Sequence, residues 1–358
     1  MKITKRFIAT FLSVILLISY SVNSYAQDVG LSKDSQSLYY TGLEWDSPED
    51  LEPYLLRNDD TRTVTLPTSV DNSALYPTPM NQNYKDCVAW AVAYAQMSTL
   101  QTLKWNWTPN IASHIFSPSF LFNRINEGTN VGLTISATMS DVVQNGLCPS
   151  TYYPVKKSLE SDLPSKAEVA ASLYKPYSFY VTNTQTQIKQ ALAEGKGVVI
   201  GVYNGTDLRS LSSNNRVYDS KIGRAETGHA ICLVGYNDSE RTFKFINSWG
   251  TRWGVNGYGW ISYDFVADTD INRTGSNRGY VFYYSSTVDY VMGDSNLDNT
   301  ITAADGRLAL RYTADLETFT DRQQVLSDVD GDGNVSAADA RNILNYSAGN
   351  LTKFPLYE

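Results

Sequence analysis

Residues 226–260 read ETGHAICLVGYNDSERTFKFINSWGTRWGVNGYGW, and this stretch decides how the rest of the chain is understood. It carries His229, one of two histidines in the sequence, and 18 residues later Asn247 within the run NSWG. Residues 230–236 and 242–246 are rich in β-branched and aromatic side chains and are separated by Asn-Asp-Ser-Glu, which predicts strand, turn, strand. A hairpin of this kind brings the imidazole and the carboxamide together. Working outward, a histidine oriented by an amide needs a nucleophile. Cys87, in NQNYKDCVAWAVAYAQ (residues 81–96), stands 142 residues before His229 and 160 before Asn247.

Trp90, Ala93, Tyr94, Met97 and Leu100 recur at helical spacing after Asp86, which reads as an N-cap, so Cys87 is expected at a helix N-terminus. The positive end of the helix dipole favours a thiolate there, and a neighbouring imidazolium favours it further. This order and spacing of Cys87, His229 and Asn247 resembles the papain-like cysteine proteases, over about residues 67–284. The resemblance implies an α+β fold of two lobes, one helical and one built on an antiparallel sheet. It also implies acyl transfer, with Cys87 as nucleophile, His229 as base and acid, Asn247 orienting the imidazole and Trp249 shielding that bond. Gln82 and the backbone N–H of Cys87 would stabilise the oxyanion. The sequence departs from the family pattern in three places. Gln82 lies five residues before the cysteine where six is usual, a second cysteine is missing from that loop, and Val88 replaces a tryptophan. Gly132, in VGL, resembles the glycine edge that pairs with substrate backbone in this family. His114 has no nucleophile or carboxylate around it and is expected to be structural.

The N-terminus has a basic head (Lys2, Lys5, Arg6), an apolar run over residues 7–18 and Ser24-Tyr25-Ala26, which predicts a signal peptide over 1–26 and an exported protein. Its removal takes the net charge from −8 to −11 and leaves nothing that favours nucleic acid or membrane insertion. Residues 27–66 are polar and acidic with scattered apolar anchors, an extension or short prosegment ahead of a peptidase domain at 67–287. Of three cysteines, Cys232 reads as a buried strand residue and Cys148 as a loop residue, and a bridge between them is open on sequence alone.

From Val288 to Asn350 the chain has eleven Asp or Glu against four Arg and no Lys or His. Asp294, Asn296, Asp298, Thr300 and Asp305 recur 34 residues later as Asp328, Asp330, Asp332, Asn334 and Asp339. Oxygen donors at loop positions 1, 3, 5, 7 and 12 form a calcium loop, here twice, with Asn299 replacing the turn glycine in the first. Each loop runs into a helix with no entering helix expected before it. This duplicated unit resembles a type I dockerin, a small all-α module. The resemblance implies two Ca2+ ions and a cohesin partner on a cellulosomal scaffold. Ala303-Ala304 and Ala337-Ala338, at loop positions 10 and 11, would face that partner. Residues 288–350 make this module and 351–358 a tail. The whole reads as an extracellular, scaffold-borne peptidase acting on polypeptides without a catalytic cofactor. A papain-like domain that has become a catalytically weak or inactive binding or inhibitory module is the alternative.

Overall fold

The computed structural model describes residues 39–56, 65–219, 224–268, 277–283 and 290–358. The expected signal peptide and the first residues of the extension lie outside them. Residues 41–358 form one compact unit. Among the described residues no helix is long and apolar enough to cross a membrane.

The fold is α+β. Eight strands are β1 (Ser69–Asp71), β2 (Ser178–Val181), β3 (Val198–Gly205), β4 (Val217–Tyr218), β5 (Arg224–Asn237), β6 (Thr242–Ile246), β7 (Tyr258–Ser262) and β8 (Tyr280–Tyr283). They form one sheet in the order β2-β8-β3-β5-β6-β7-β4, with β1 added to β5, and every pairing is antiparallel except β4 with β7. The expected hairpin is present: β5 and β6 pair from Cys232 opposite Ile246 to Asn237 opposite Thr242, with a bulge between Leu233 and Gly235. Gly235 carries no Cβ because one would stand 2.3 Å from the Val70 carbonyl oxygen, so glycine lets β1 close on β5.

Against this sheet lies the helix that starts at Cys87. It is α-helical over Cys87–Ala89, π-wound over Trp90–Met97 and α-helical again over Ser98–Trp105, and we call residues 87–105 α1. Residues 86–102 are all buried, so α1 is a central helix whose last turn alone, at Leu103, reaches solvent, and its alanines at 89, 91, 93 and 95 permit this by keeping its girth small. The wide winding is marked at its end by Ser98, whose hydroxyl donates to the Ala93 carbonyl five residues back. Helices α2 (Pro118–Asn126) and α3 (Ile135–Asn145) complete the helical lobe, capped by Ser117 and Thr134. Asp86 occupies the N-cap position of α1, but its side chain does not cap. It accepts instead from the Tyr84 N–H at 3.2 Å and from Trp90 Nε1 at 2.9 Å.

Helix α4 (Ser165–Ser172) and helix α5 (Gln185–Ala193) follow, the latter leading into β3 as the sequence predicts. Beyond the sheet, α6 (Ala303–Thr313), α7 (Asp321–Ser327) and α8 (Ala337–Ser347) surround a small core of Met292, Ala309, Leu326, Val329, Ala340, Ile343, Phe354 and Leu356. Two expectations are corrected here. A short helix does enter the second loop: Thr320 and Gln323 make a reciprocal capping box that starts α7. The last residues are also more than a tail, since Phe354 and Leu356 are core. All three cysteines are free and buried. Cys148 packs with Phe120 and Tyr153 while Cys232 lies in the main core, so no bridge joins them.

Candidate active site

The β5–β6 hairpin does what its sequence predicts. His229 Nε2 donates to Asn247 Oδ1 at 2.8 Å, and the same oxygen accepts the Ser248 N–H at 2.8 Å. An amide oxygen only accepts, so Nε2 carries the proton and Nδ1 is left as a lone-pair base. Among the described residues Nδ1 has no hydrogen-bond partner. Trp249 stacks on the imidazole with ring centroids 4.4 Å apart and an interplanar angle of 22°, and Trp253 meets Trp249 edge-on at 5.4 Å. This aromatic wall lies against the buried imidazole that makes the Nε2 bond.

Cys87 is delivered by the start of α1. Its sulfur meets the backbone N–H groups of Ala230, Gly42 and Val88, so it lies beside the residue that follows His229. Gln82 is buried at 3 % exposure and doubly tied. Its Oε1 accepts from Ser248 Oγ at 2.6 Å, and Nε2 donates to the Tyr84 carbonyl at 2.9 Å. The Gln82 N–H also reaches the Ser248 carbonyl at 2.8 Å, and Gly250 N–H reaches Met80 O at 3.1 Å. The segment bearing the glutamine and the loop bearing the asparagine are thereby paired. Neither the Ser248 bond nor this pairing has a local sequence signal, because the partners are 166 residues apart.

Nucleophile and imidazole are both fully buried, and residues of the chain's own extension lie beside them. Leu43 N–H donates to the Gly228 carbonyl at 3.2 Å, while Leu133 N–H donates to Gly42 O and Glu44 N–H to Leu133 O, both at 2.9 Å. Gly132 permits this, since a Cβ there would stand 2.6 Å from Gly42 O. The glycine edge thus holds an extended backbone. Farther along, Asp46 is buried and accepts from Tyr280 Oη at 2.6 Å and from both the N–H and the hydroxyl of Ser136. Leu51 is buried in the main core, Tyr54 stacks on Phe179 at 4.2 Å, and Leu56 N–H donates to Val181 O at 2.9 Å. Burial of a leucine of this kind contributes about 1.5–3 kcal/mol.

The burial sets the electrostatics. It pushes the Cys87 thiol up to about 12, offset in part by the Ala230 N–H, and holds His229 down at about 4, offset in part by Asn247. Asp86, beside the thiol, is raised to about 7 by the same cause. The covered site therefore holds a neutral thiol and a neutral imidazole. His114 lies elsewhere, as expected of a structural residue, with Nδ1 2.8 Å from Thr108 O, Nε2 3.0 Å from Leu356 O and its ring stacked on Trp107.

A family model described as papain family cysteine protease matches residues 68–277, more than half of the chain. The chain belongs to the papain family of cysteine proteases. A peptidase C1-like protein of Acanthamoeba polyphaga mimivirus is 28% identical over 230 residues, which are 59% of this chain and 70% of that one. Cysteine proteinase 1 of Entamoeba histolytica is 28% identical over 137 residues, and cathepsin K of Gallus gallus 27% over 135. These stretches are 37% of this chain and span 42% and 40% of those proteins. Among solved structures, xylellain from Xylella fastidiosa superposes with a TM-score of 0.57 at 20% identity, covering 69% of this papain-family chain and 96% of that one. Procathepsin B from Trypanosoma congolense gives 0.57 at 16%, covering 72% and 90%. Both share the fold.

The type I dockerin model matches residues 292–346. In the second loop one carboxylate oxygen from each of Asp328, Asp330 and Asp332 lies within 4.8 Å of the others, and Asp339 at position 12 is fully buried. An all-oxygen set of this kind suits a hard cation such as calcium. In the first loop Asp298 N–H reaches Asp294 Oδ1 at 3.1 Å, and Asn296 N–H reaches Asp305 Oδ1 at 3.1 Å. Asp305 and Asp339 also accept from Thr302 and Ser336 as the third residues of capping boxes, a double role that a short carboxylate fills. Ala303, Ala304 and Ala337 are exposed and Ala338 half-buried.

Proposed function

We propose that this chain is an exported cysteine endopeptidase, made latent by its own extension and carried on a scaffold through its dockerin. The observation that supports it most directly is the His229–Asn247 pair, with Nδ1 unengaged and the Cys87 sulfur beside Ala230. Once the extension leaves, the Cys87 sulfur attacks the peptide carbonyl carbon, its proton having passed to His229 Nδ1. The imidazolium returns that proton to the leaving amine, which breaks the C–N bond and leaves an acyl-enzyme. Water, deprotonated by the same nitrogen, then releases the acid and restores the thiol. Asn247 holds the ring through Nε2, and Trp249 keeps that bond dry. The Cys87 N–H and the second Gln82 N–H stabilise the oxyanion, a contribution of about 10² to 10³ in rate per donor.

Residues up to about 66 then act as a removable cover. The group they set against the sulfur is the Gly42 N–H, a hydrogen and not an electrophilic carbon, so the cover is not itself a substrate. Asp294, Asn296, Asp298, Thr300 and Asp305 would hold one Ca2+, and Asp328, Asp330, Asp332, Asn334 and Asp339 a second. The alanine pairs at 303–304 and 337–338 would meet a cohesin.

Intact mass after exposure to an epoxide inhibitor of papain-like thiols, before and after trimming near residue 66, tests the catalytic reading. A single adduct on the trimmed chain, lost in Cys87→Ala, is expected. No adduct after trimming would leave the inactive binding module as the reading.

A further inference from the structure

The two calcium loops have the same donors but different surroundings. Residues 296–300 of the first loop are exposed, with Leu297 at 41 %. The second loop is seated on the peptidase lobe. Tyr152 Oη donates to Asp328 Oδ2 at 2.6 Å, an oxygen that also accepts the Gly333 N–H at 2.8 Å. Thr151 Oγ1 donates to the Gly331 carbonyl at 3.1 Å, and Lys166 Nζ to the Gly333 carbonyl at 2.9 Å. Those two carbonyls, at loop positions 4 and 6, are not among the donor positions, so the lobe grips the loop there without taking up a donor oxygen, and Asp332 and Asn334 stay exposed. Glycine is required for the approach: a Cβ on Gly331 would stand 2.9 Å from the Ser113 Cβ, and one on Gly333 2.7 Å from the Thr151 methyl. The first repeat has Leu297 and Asn299 at these positions. Among the described residues Asp294 accepts only from its own loop, from the N–H groups of Asp298 and Asn299.

We propose that the peptidase lobe supplies the outer shell of the second calcium loop, with Tyr152 as the positioning residue for Asp328. Cation binding at that loop and seating of the dockerin on the lobe are then one linked equilibrium. This rests on the calcium reading of the dockerin given above. A hydroxyl that donates to Oδ2 of the loop's first carboxylate fixes its rotamer, while Oδ1 accepts the Gly331 N–H at 2.9 Å and keeps a further lone pair for the ion; loss of such outer-shell partners typically weakens metal binding by about 10- to 100-fold. Linkage is reciprocal, so bound calcium must stabilise the lobe that helps to bind it. The first loop, which has no such partner from the lobe among the described residues, is the uncoupled control within the same chain.

The test uses the full chain. All seven tryptophans lie between residues 45 and 260, outside the dockerin, so tryptophan fluorescence follows the peptidase lobe and, through Trp105 against Tyr357 at 4.8 Å, its contact with the C-terminal module. Calcium titrated calorimetrically into the unmodified chain is expected to give two binding events. Tyr152→Phe, which removes one oxygen and keeps the ring, is expected to weaken one of them about tenfold or more and leave the other unchanged. Calcium should raise the midpoint of the tryptophan-monitored thermal transition in the unmodified chain, and raise it less in Tyr152→Phe. Lys166→Met is a second variant at a half-buried position and should act in the same direction. Two calcium affinities within twofold of the parent in both variants, or a tryptophan transition indifferent to calcium, would overturn the proposal while the calcium reading stands. No calcium uptake by the unmodified chain would overturn both.

Discussion

The backbone N–H of Gly42 faces the sulfur of Cys87 and offsets a little of the burial that raises the thiol. One residue of the extension thus lies against the sulfur, and its neighbours Leu43 and Glu44 use Gly228 and Leu133 as backbone partners. The latency proposed above rests on this contact, because a buried thiol facing N–H groups has nothing to attack.

Covering should therefore control labelling. If the cover is worth roughly 3 kcal/mol, the open fraction is about 1 in 10², and trimming near residue 66 should speed epoxide labelling of Cys87 by about that factor. Gly42→Ala should approach the same rate without trimming, since its Cβ would stand 2.1 Å from the Lys85 carbonyl oxygen. Time-resolved intact mass reads both; equal labelling of full and trimmed chains would remove the latency argument.

Asp46 is the polar anchor of the cover, accepting from Ser136 and Tyr280. Asp46→Ala leaves those buried donors without a partner, a loss of about 1.5–3 kcal/mol for a bond to a charged group. Labelling of the untrimmed chain should rise by about 10- to 100-fold, with the activity of the trimmed enzyme unchanged. A variant that labels no faster would show that apolar contacts at Leu43 and Leu51 hold the segment alone.

Acid should loosen the cover. His229 has its folded value depressed to about 4 from an ordinary 6.5, by burial first and by Arg209 in addition. The uncovered ring therefore binds a proton more readily than the covered one. The covered state is unaffected above about 6.5 and loses stability as pH falls from there toward 4. Labelling or self-processing of the full chain, followed across that range, should accelerate on acidification, and a flat profile would contradict it.

In the trimmed enzyme, Gln82→Ala should lower kcat by about 10²-fold or more with KM little changed, as expected for a donor used only in the transition state. Because Gln82 also ties Ser248 beside Asn247, part of the loss is positional. Ser248→Ala removes that tie alone and should cost less; an equal loss would assign the whole effect to positioning.

Local sequence determined a great deal here. Periodicity and turn chemistry specify the β5–β6 hairpin, whose ladder ends at Cys232 opposite Ile246 and so sets Asn247 just beyond it, a diagonal step from His229. The two acidic loops proposed to bind calcium are equally local, with every proposed donor inside twelve residues. What the sequence could not disclose are contacts between segments far apart in the chain. Asp86 reads as an N-cap, yet burial beside Trp90 turns its carboxylate to the indole. The helix at Asp321–Ser327 has a capping box but an apolar run too short to announce itself. Tertiary structure alone decided that Gly42 covers Cys87, that Asp46 meets Tyr280 234 residues away, and that Tyr152 meets Asp328 176 residues away. The physical reason is that hydrogen bonding and burial depend on distance in space, and only the packed chain sets which distant groups become neighbours.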